Sequence, residues 1–292
     1  MSGEGRGKRG QGSGGRSNSD GVKVLLVCEE GLDAARHLGR LLSQSGIDVA
    51  TASGWKGFIS SFYPVPPDLV LLDAGLLRDE EKDFAQVERI SAEVPGLPIV
   101  VTGDTSALSR ANSFELGRLG VRGLIEPEAL SQERIEELVT WTVAGRVLLK
   151  LKMNRVRPIP AVVADAITQA MVRMSERMTV PALAVQLGYS PRGLRLALAR
   201  AGAPQPQQLI SWGRVLWAVH DLCSDPTARS DRVARSLGFS GPTVLGNALC
   251  RRLGVRINAA REKGLDWAIE RFVQVSGLCD PLKAPPHADR GG

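Results

Sequence analysis

The chain predicts an α/β doubly wound, five-stranded parallel sheet followed by an all-α domain with two helix-turn-helix motifs. Short apolar, β-rich runs alternate with helical stretches through the first half, as repeated strand-helix units do. In the second half, a segment beginning at Val180 is echoed about fifty residues later, from Ser230. Charge divides along the same line. Residues 21–142 hold 11 Lys/Arg against 19 Asp/Glu, whereas residues 143–292 hold 22 against 10, so the net charge of +6 hides an acidic part joined to a basic one.

The acidic part opens with Val22-Lys-Val-Leu-Leu-Val27, an apolar run suited to a parallel strand buried on both faces. A helix is expected over residues 34–45 and a short strand near 48–52. Asp68-Leu-Val-Leu-Leu-Asp73 is a second buried strand, Pro98-Ile-Val-Val-Thr102 the next, and 123–126 a short last one. Further helices are expected over 86–94, 109–119 and 132–147. Such alternation places functional groups at the carboxyl ends of the strands.

Over about residues 21–140 the chain resembles the receiver domain of bacterial response regulators. The resemblance rests on Asp73 closing its strand, Thr102 after the fourth strand and Pro127 after the fifth. It makes Asp73 the phosphoacceptor candidate, in a pocket of Cys28, Glu29, Glu30, Thr102 and Glu126. A receiver needs a carboxylate nucleophile, an acidic pair holding Mg²⁺ and a Lys to steady the phosphoryl oxygens, because cations must offset the charge of the transferring group. Here the acidic pair falls on Cys28 and Glu29, with Glu30 the only nearby spare, and the Lys position before Pro127 is Glu126. Leu124 replaces the coupling aromatic, and no Pro follows Asp73. Glu126 puts repulsion where the family uses attraction. The expectation is a pseudo-receiver, kept for regulation or dimerisation, with Mg²⁺ held by Glu29 and Asp73 only if the pocket were active. Cys28 is expected to be an unreactive thiol, since Glu29, Glu30 and Asp73 disfavour its thiolate.

The helix from Gln132 is expected to run on through Leu148 to Arg157 until Pro158 and Pro160 break it, making 143–160 a linker. Lys150, Lys152, Arg155 and Arg157 on it suit either phosphate contacts or a solvated face. A helix over 161–178 carries an apolar stripe of Val163, Ile167, Met171 and Met174. The repeat follows. Val180-Pro-Ala-Leu-Ala-Val-Gln-Leu-Gly-Tyr-Ser190-Pro-Arg-Gly-Leu-Arg-Leu returns as Ser230-Asp-Arg-Val-Ala-Arg-Ser-Leu-Gly-Phe-Ser240-Gly-Pro-Thr-Val-Leu-Gly. Each copy is a helix that stops at Gly and restarts from a Ser cap, the signature of helix-turn-helix. The motifs cover about 180–201 and 230–253, and the aromatics Tyr189 and Phe239 are expected to pack between the paired helices. A longer helix over 207–223 joins the motifs, and 265–275, with Trp267, Ile269 and Phe272, adds a last packing helix.

This order resembles the AraC/XylS family of transcription regulators over about residues 163–262. Arg214 and Ala218 match the family's connecting helix; Val233-Ala234 with Gly238-Phe239-Ser240 matches its second motif; Leu253-Gly254-Val255 followed by Arg261 matches its close. The resemblance implies double-stranded DNA as partner, with two recognition helices about 34–36 Å apart on one face. Arg192 and Arg195 become base-reading candidates with Arg200 nearby, the alternative for each being phosphate contact or solvent. Leu196 is expected to pack. Thr243 and Asn247 are base candidates in the second motif, while Arg251 and Arg252 suit phosphates. Asn247 stands in place of a usual Arg, Gly246 lacks a side chain, and Ile257 replaces a usual Pro. The first motif is expected to dominate sequence choice.

No apolar run approaches the length of a membrane span, and the Gly/Ser-rich segment 1–20, with Arg6, Lys8, Arg9 and Arg16, has no hydrophobic signal and is expected to be a disordered tail. Cys28, Cys223, Cys250 and Cys279 lack metal-ligand spacing, and His37, His220 and His287 lie far apart, so neither a metal site nor a catalytic set is expected. The domains therefore read as 1–20 tail, 21–142 receiver-like, 143–160 linker, 161–276 DNA-binding and 277–292 loose tail. The expected function is that of a cytoplasmic, non-enzymatic, sequence-specific transcription regulator without cofactor. Partners are double-stranded DNA, a second copy through the receiver-like domain, and RNA polymerase or a histidine kinase. The alternative is an interaction protein with weak DNA binding that acts through a partner protein.

Overall fold

The computed structural model describes residues 22–29, 33–44, 47–62, 67–94, 97–126, 129, 131–154, 158–172, 178–225 and 227–279. Expectations for the tails, Glu30, Pro127, Arg155, Arg157, Met174 and His287 lie outside the described residues. In the first half, β1 (Lys23–Cys28), β2 (Asp48–Ser53), β3 (Leu69–Asp73), β4 (Ile99–Thr102) and β5 (Val121–Ile125) form one sheet. Its order is β2-β1-β3-β4-β5, and every pairing is parallel. This is a doubly wound order, with the switch point between β1 and β3. The helices are α1 (Asp33–Gln44), α2 (Gly54–Phe62), α3 (Glu80–Glu93), α4 (Arg110–Arg118) and α5 (Gln132–Met153).

Strand alternation divides the core between two faces. Leu25, Val27, Val70, Leu72 and Val101 meet α2, α3 and α4, while Val24, Leu26, Leu69, Leu71 and Val100 meet α1 and α5. Both faces are covered, which is why the central strands are apolar almost throughout.

The second half contains α6 (Ala161–Met171), α7 (Val180–Gln186), α8 (Pro191–Arg200), α9 (Pro206–Ser224), α10 (Ser230–Ser236), α11 (Pro242–Leu253) and α12 (Ile257–Val275). α9 is the axis of this part. Trp217 on it is almost fully buried and its indole N–H donates to Met171 O at 2.7 Å, fastening the end of α6. Trp212 meets Phe272 of α12 edge-on, with centroids 5.3 Å apart.

Several expected elements change. α2 was not anticipated, and α3 begins at Glu80, capped by Asp79, whose carboxylate accepts from Lys82 N at 3.1 Å. α6 ends at Met171, where Val172 turns extended. α12 starts eight residues before Leu265 and kinks at Gly264, which has φ 82°.

The largest correction concerns the expected linker. α5 continues unbroken to Met153, and Val143, Ala144, Val147, Leu148 and Leu151 are buried in the core of the helical half. Arg146 on this helix forms a buried bidentate pair with Asp68 at the start of β3, and its Nη1 lies 3.6 Å from Asp266 of α12. Lys150 donates to Glu270 at 2.6 Å and Lys152 to Ala92 O at 2.9 Å. These lysines link α5 to α12 and α3 through contacts that remain open to solvent. Among the described residues, no helix is long and apolar enough to cross a membrane.

Candidate nucleic-acid interface and receiver-like pocket

The first helix-turn-helix is built from local chemistry. Thr179 Oγ1 accepts from Ala182 N at 3.3 Å to start α7. The helix stops at Gly188, whose φ of 71° favours glycine, and Tyr189 N returns to Ala184 O at 2.8 Å. Ser190 Oγ then accepts from Gly193 N at 3.0 Å and starts α8. α8 buries Leu194 and Leu198 and leaves Arg192, Arg195, Leu196 and Ala199 exposed. These four follow the i, i+3, i+4, i+7 spacing of one helical stripe. Arg200 is exposed in the last turn. Leu196, expected to pack, is 48% exposed, because Leu194 and Leu198 already supply the buried side of this short helix. Tyr189 is 40% exposed, and its ring lies beside Gly193 of α8, 3.8 Å from where a Cβ there would stand.

The second motif differs by one residue in its turn. Gly238 has φ 70° and Phe239 N donates to Ala234 O at 2.9 Å, as in the first copy. Gly241, not Ser240, then occupies the N-cap of α11, with no side-chain cap bond. Counted from their helix starts, Thr243 matches Arg192, Gly246 matches Arg195 and Asn247 matches Leu196. Thr243, Asn247 and Arg251 are exposed, with Val244 beside them.

Arg252, expected to contact phosphate, already has partners within the protein. It is half-buried, its Nε donates to Ser211 Oγ at 3.3 Å, and its guanidinium lies 5.8 Å from the Trp212 ring centroid. Burial first, and then the neighbouring Arg251 charge, pull its pKa down. Arg214 has a turn-clamping role beyond its place in the family pattern. It sits 4.3 Å over the Phe239 ring and donates to Leu237 O at 2.9 Å and Gly238 O at 2.6 Å. The tight Leu-Gly-Phe turn presents those carbonyls, a signal visible only once the fold is known.

The first motif contains no acidic residue, and the second contains one, Asp231 in α10, paired with Arg229 and Arg235. No acid occurs between Glu176 and Asp221, or between Asp231 and Glu262. The helices α8 and α11 themselves carry no acidic side chain.

At the carboxyl end of the sheet, Asp73 lies beside Thr102 in the β3–β4 register. Its Oδ1 accepts from Gly75 N at 2.8 Å. Burial raises its pKa; the Gly75 N–H opposes this, Glu29 adds to it and Arg78 opposes it, and the net direction is upward. Gly103, at φ 99°, closes the loop over the carboxylate, and a Cβ there would stand 2.7 Å from Asp73 Oδ1. Glu29 pairs with Arg78 at 3.2 Å. Glu126 is exposed and accepts from Thr105 Oγ1 at 3.4 Å. Thr102 Oγ1 is buried without a hydrogen-bond partner among the described residues. Burial, and secondarily Asp73, push the Cys28 thiol up, so burial outweighs the acidic neighbours in keeping it protonated.

A receiver of this fold implies Mg²⁺, which requires a near-octahedral shell of oxygens. Asp73 and Glu29 are the carboxylates at hand, Glu29 is engaged by Arg78, and Cys28 offers a protonated thiol. Among the described residues no cluster of three or more His, Cys, Asp or Glu side chains suits a metal. The described residues do not fit a Mg²⁺ site. His37 is exposed on α1, and His220 is buried on α9 with its ring centroid 4.9 Å from that of Trp217.

No protein-family model matches the chain, and no curated protein matches it. Among solved structures, the receiver domain of NtrX from Brucella abortus is similar at 22% identity and a TM-score of 0.32, covering 38% of this chain and 90% of that one. Full-length FixJ from B. japonicum is similar at 15% identity and 0.33, over 74% and 97% of the two chains. RcsB from Salmonella enterica serovar Typhimurium, bound to promoter rprA, is similar at 15% and 0.32, over 65% and 98%. In two longer NtrX structures the match spans only 34% and 42% of the solved chain. At identities and TM-scores this low these matches carry no argument by themselves. The strand order and flanking helices are those of a receiver fold, followed by a helical region.

Proposed function

We propose that the chain is a sequence-specific DNA-binding transcription regulator of the AraC/XylS type, carrying a phosphorylation-independent pseudo-receiver as its regulatory or dimerisation module. The observation that carries this is the exposed stripe of α8, where Arg192 and Arg195 stand on one face of a helix that begins from a capped, glycine-terminated turn in an acid-free segment. Arg pairs bidentately with guanine O6 and N7. The second reader is weaker, since Gly246 leaves no side chain where the first has Arg195. Arg200, Thr243, Asn247 and Arg251 complete the interface, and Arg252 supports it from behind. Phe114 on α4 is 77% exposed and supplies an apolar contact for a second copy through the receiver-like half. RNA polymerase or a histidine kinase would be the protein partners, the setting is the cytoplasm, and no cofactor or enzymatic step belongs to this reading.

Selection from random duplexes by the full chain at moderate salt tests it. The expected result is a motif with one strong and one weak half, about ten base pairs apart. No enrichment by folded protein would favour instead an interaction protein acting through a partner, the reading that the sparse face of α11 supports. Arg195→Ala should cost about 1–3 kcal/mol of specific binding and relax preference at one base pair; an unchanged motif would place Arg195 outside the groove. Asp73→Asn should leave DNA affinity where it was and raise stability at neutral pH. The sign follows from the raised pKa: ionising Asp73 costs the folded state more than the unfolded, so native stability falls as pH rises from the ordinary carboxylate range through the raised value. Asn avoids that cost, and its advantage should vanish in acid. A stability gain that persisted at low pH would contradict this account.

A further inference from the structure

We infer that Leu196 is a base-reading residue, packing its side chain on the C5-methyl group of a thymine in the half-site bound by α8. The inference rests on the DNA-binding reading above and extends it to a base the arginines do not select. Leu196 is 48% exposed in the middle of the solvent stripe, flanked by Arg192, Arg195 and Ala199, while Leu194 and Leu198 satisfy the core. The fold thus gains little from a leucine there. A solitary exposed Leu on a protein surface needs no explanation, but this one directly follows Arg195 and stands one turn beyond Arg192, beside the two arginines best placed to enter the major groove. Arginine neighbours bring that face against a polyanion, and acids are absent from the whole segment. Among the base edges of the major groove, the thymine methyl is the apolar one.

α11 carries a related arrangement. Val244 is 45% exposed and stands one turn before exposed Asn247. Asn reads adenine N6 and N7, and an A·T pair displays those atoms and a thymine methyl along the same groove edge. The two motifs would then read different chemistry: guanine with thymine under α8, and A·T under α11, where Gly246 withholds the arginine.

The experiment uses the full chain and the duplex it selects, with each thymine of the strong half replaced in turn by uracil, which deletes only the methyl group. At one position affinity should fall roughly fourfold, the contribution of burying about one methylene-sized group. Leu196→Ala should bind the thymine and uracil duplexes alike at that position while melting at the wild-type temperature. If no thymine-to-uracil exchange in that half changes affinity, or if Leu196→Ala keeps the difference, the inference is overturned while the DNA-binding reading stands. If the folded chain selects no duplex, both fall together.

Discussion

Arg146→Met is expected to destabilise the protein by about 3–5 kcal/mol, because it leaves Asp68 buried without its charge partner. The two side chains are only 11% and 9% exposed, and the guanidinium meets the carboxylate through two nitrogens. Asp68 would retain the backbone bond from Lys23 N at 2.8 Å, too little to compensate an ionised group in that setting. The double variant Asp68→Leu with Arg146→Met should recover much of the loss, since removing both charges removes the desolvation cost along with the attraction. Urea unfolding of the wild type, the single variants and the double variant gives the coupling directly. If Arg146→Met unfolds within about 1 kcal/mol of wild type, the pair contributes no more than a surface salt bridge.

The consequence reaches beyond one pair. Arg146 also approaches Asp266, and the surrounding turns of α5 carry Val143, Ala144, Val147, Leu148 and Leu151 into the helical core. The sheet and the helices of the candidate interface therefore share one helix as a structural member, which is why the full chain is the proper object for binding experiments. A fragment begun inside α5 would strip side chains from the core it was meant to isolate.

That shared helix was the feature least legible in the sequence. Lys150, Lys152 and the later prolines read as a linker because their partners, Glu270 and Ala92 O, lie far away along the chain. The strands were legible for the opposite reason: β1 and β3 are buried on both faces, so their apolar character is continuous. α2 escaped notice because it leaves β2 directly through Gly54, at φ 58°, with a second glycine at 57 and no capping pattern. Tertiary contacts hold it instead. Phe58 and Phe62 pack with centroids 5.3 Å apart, and Trp55 Nε1 donates to Asp83 at 2.9 Å.

At the candidate interface the repeat was legible, but its register was not. The two glycines are fifty residues apart, yet the helices that follow begin at Pro191 and Pro242, one residue further apart. The inserted residue takes the cap from Ser240 and sets Gly246, not Asn247, opposite Arg195. Likewise Arg252 looks like a free cation until Ser211 and Trp212, some forty residues earlier, are brought beneath it.

Gly213→Ala is the second change expected to act strongly, and its sign decides between two effects. By helix propensity alone, alanine in mid-helix should stabilise α9 by about 1 kcal/mol. The crossing with α6 opposes this. A Cβ at 213 would lie 2.2 Å from Ala170 O, 3.1 Å from Ala170 C and 3.2 Å from Met171 Cα, all backbone atoms that cannot rotate aside. Nor can α6 drift away freely, because the next residue's carbonyl, Met171 O, is held by Trp217 at 2.7 Å from the following turn of α9. The crossing should win, with a net loss of about 1–3 kcal/mol or more. Gly246→Ala in α11 supplies the contrast: its nearest neighbour would be the flexible end of Ile257 at 3.7 Å, an ordinary contact, so propensity should prevail and stability rise. DNA affinity should fall with Gly213→Ala, since α9 packs against the helices of both motifs and a displaced α9 alters the spacing of α8 and α11. Parallel urea melts and duplex titrations of the two variants read both effects. A Gly213→Ala protein more stable than wild type, with its affinity intact, would mean that the α6–α9 crossing is looser than the 2.2 Å approach requires.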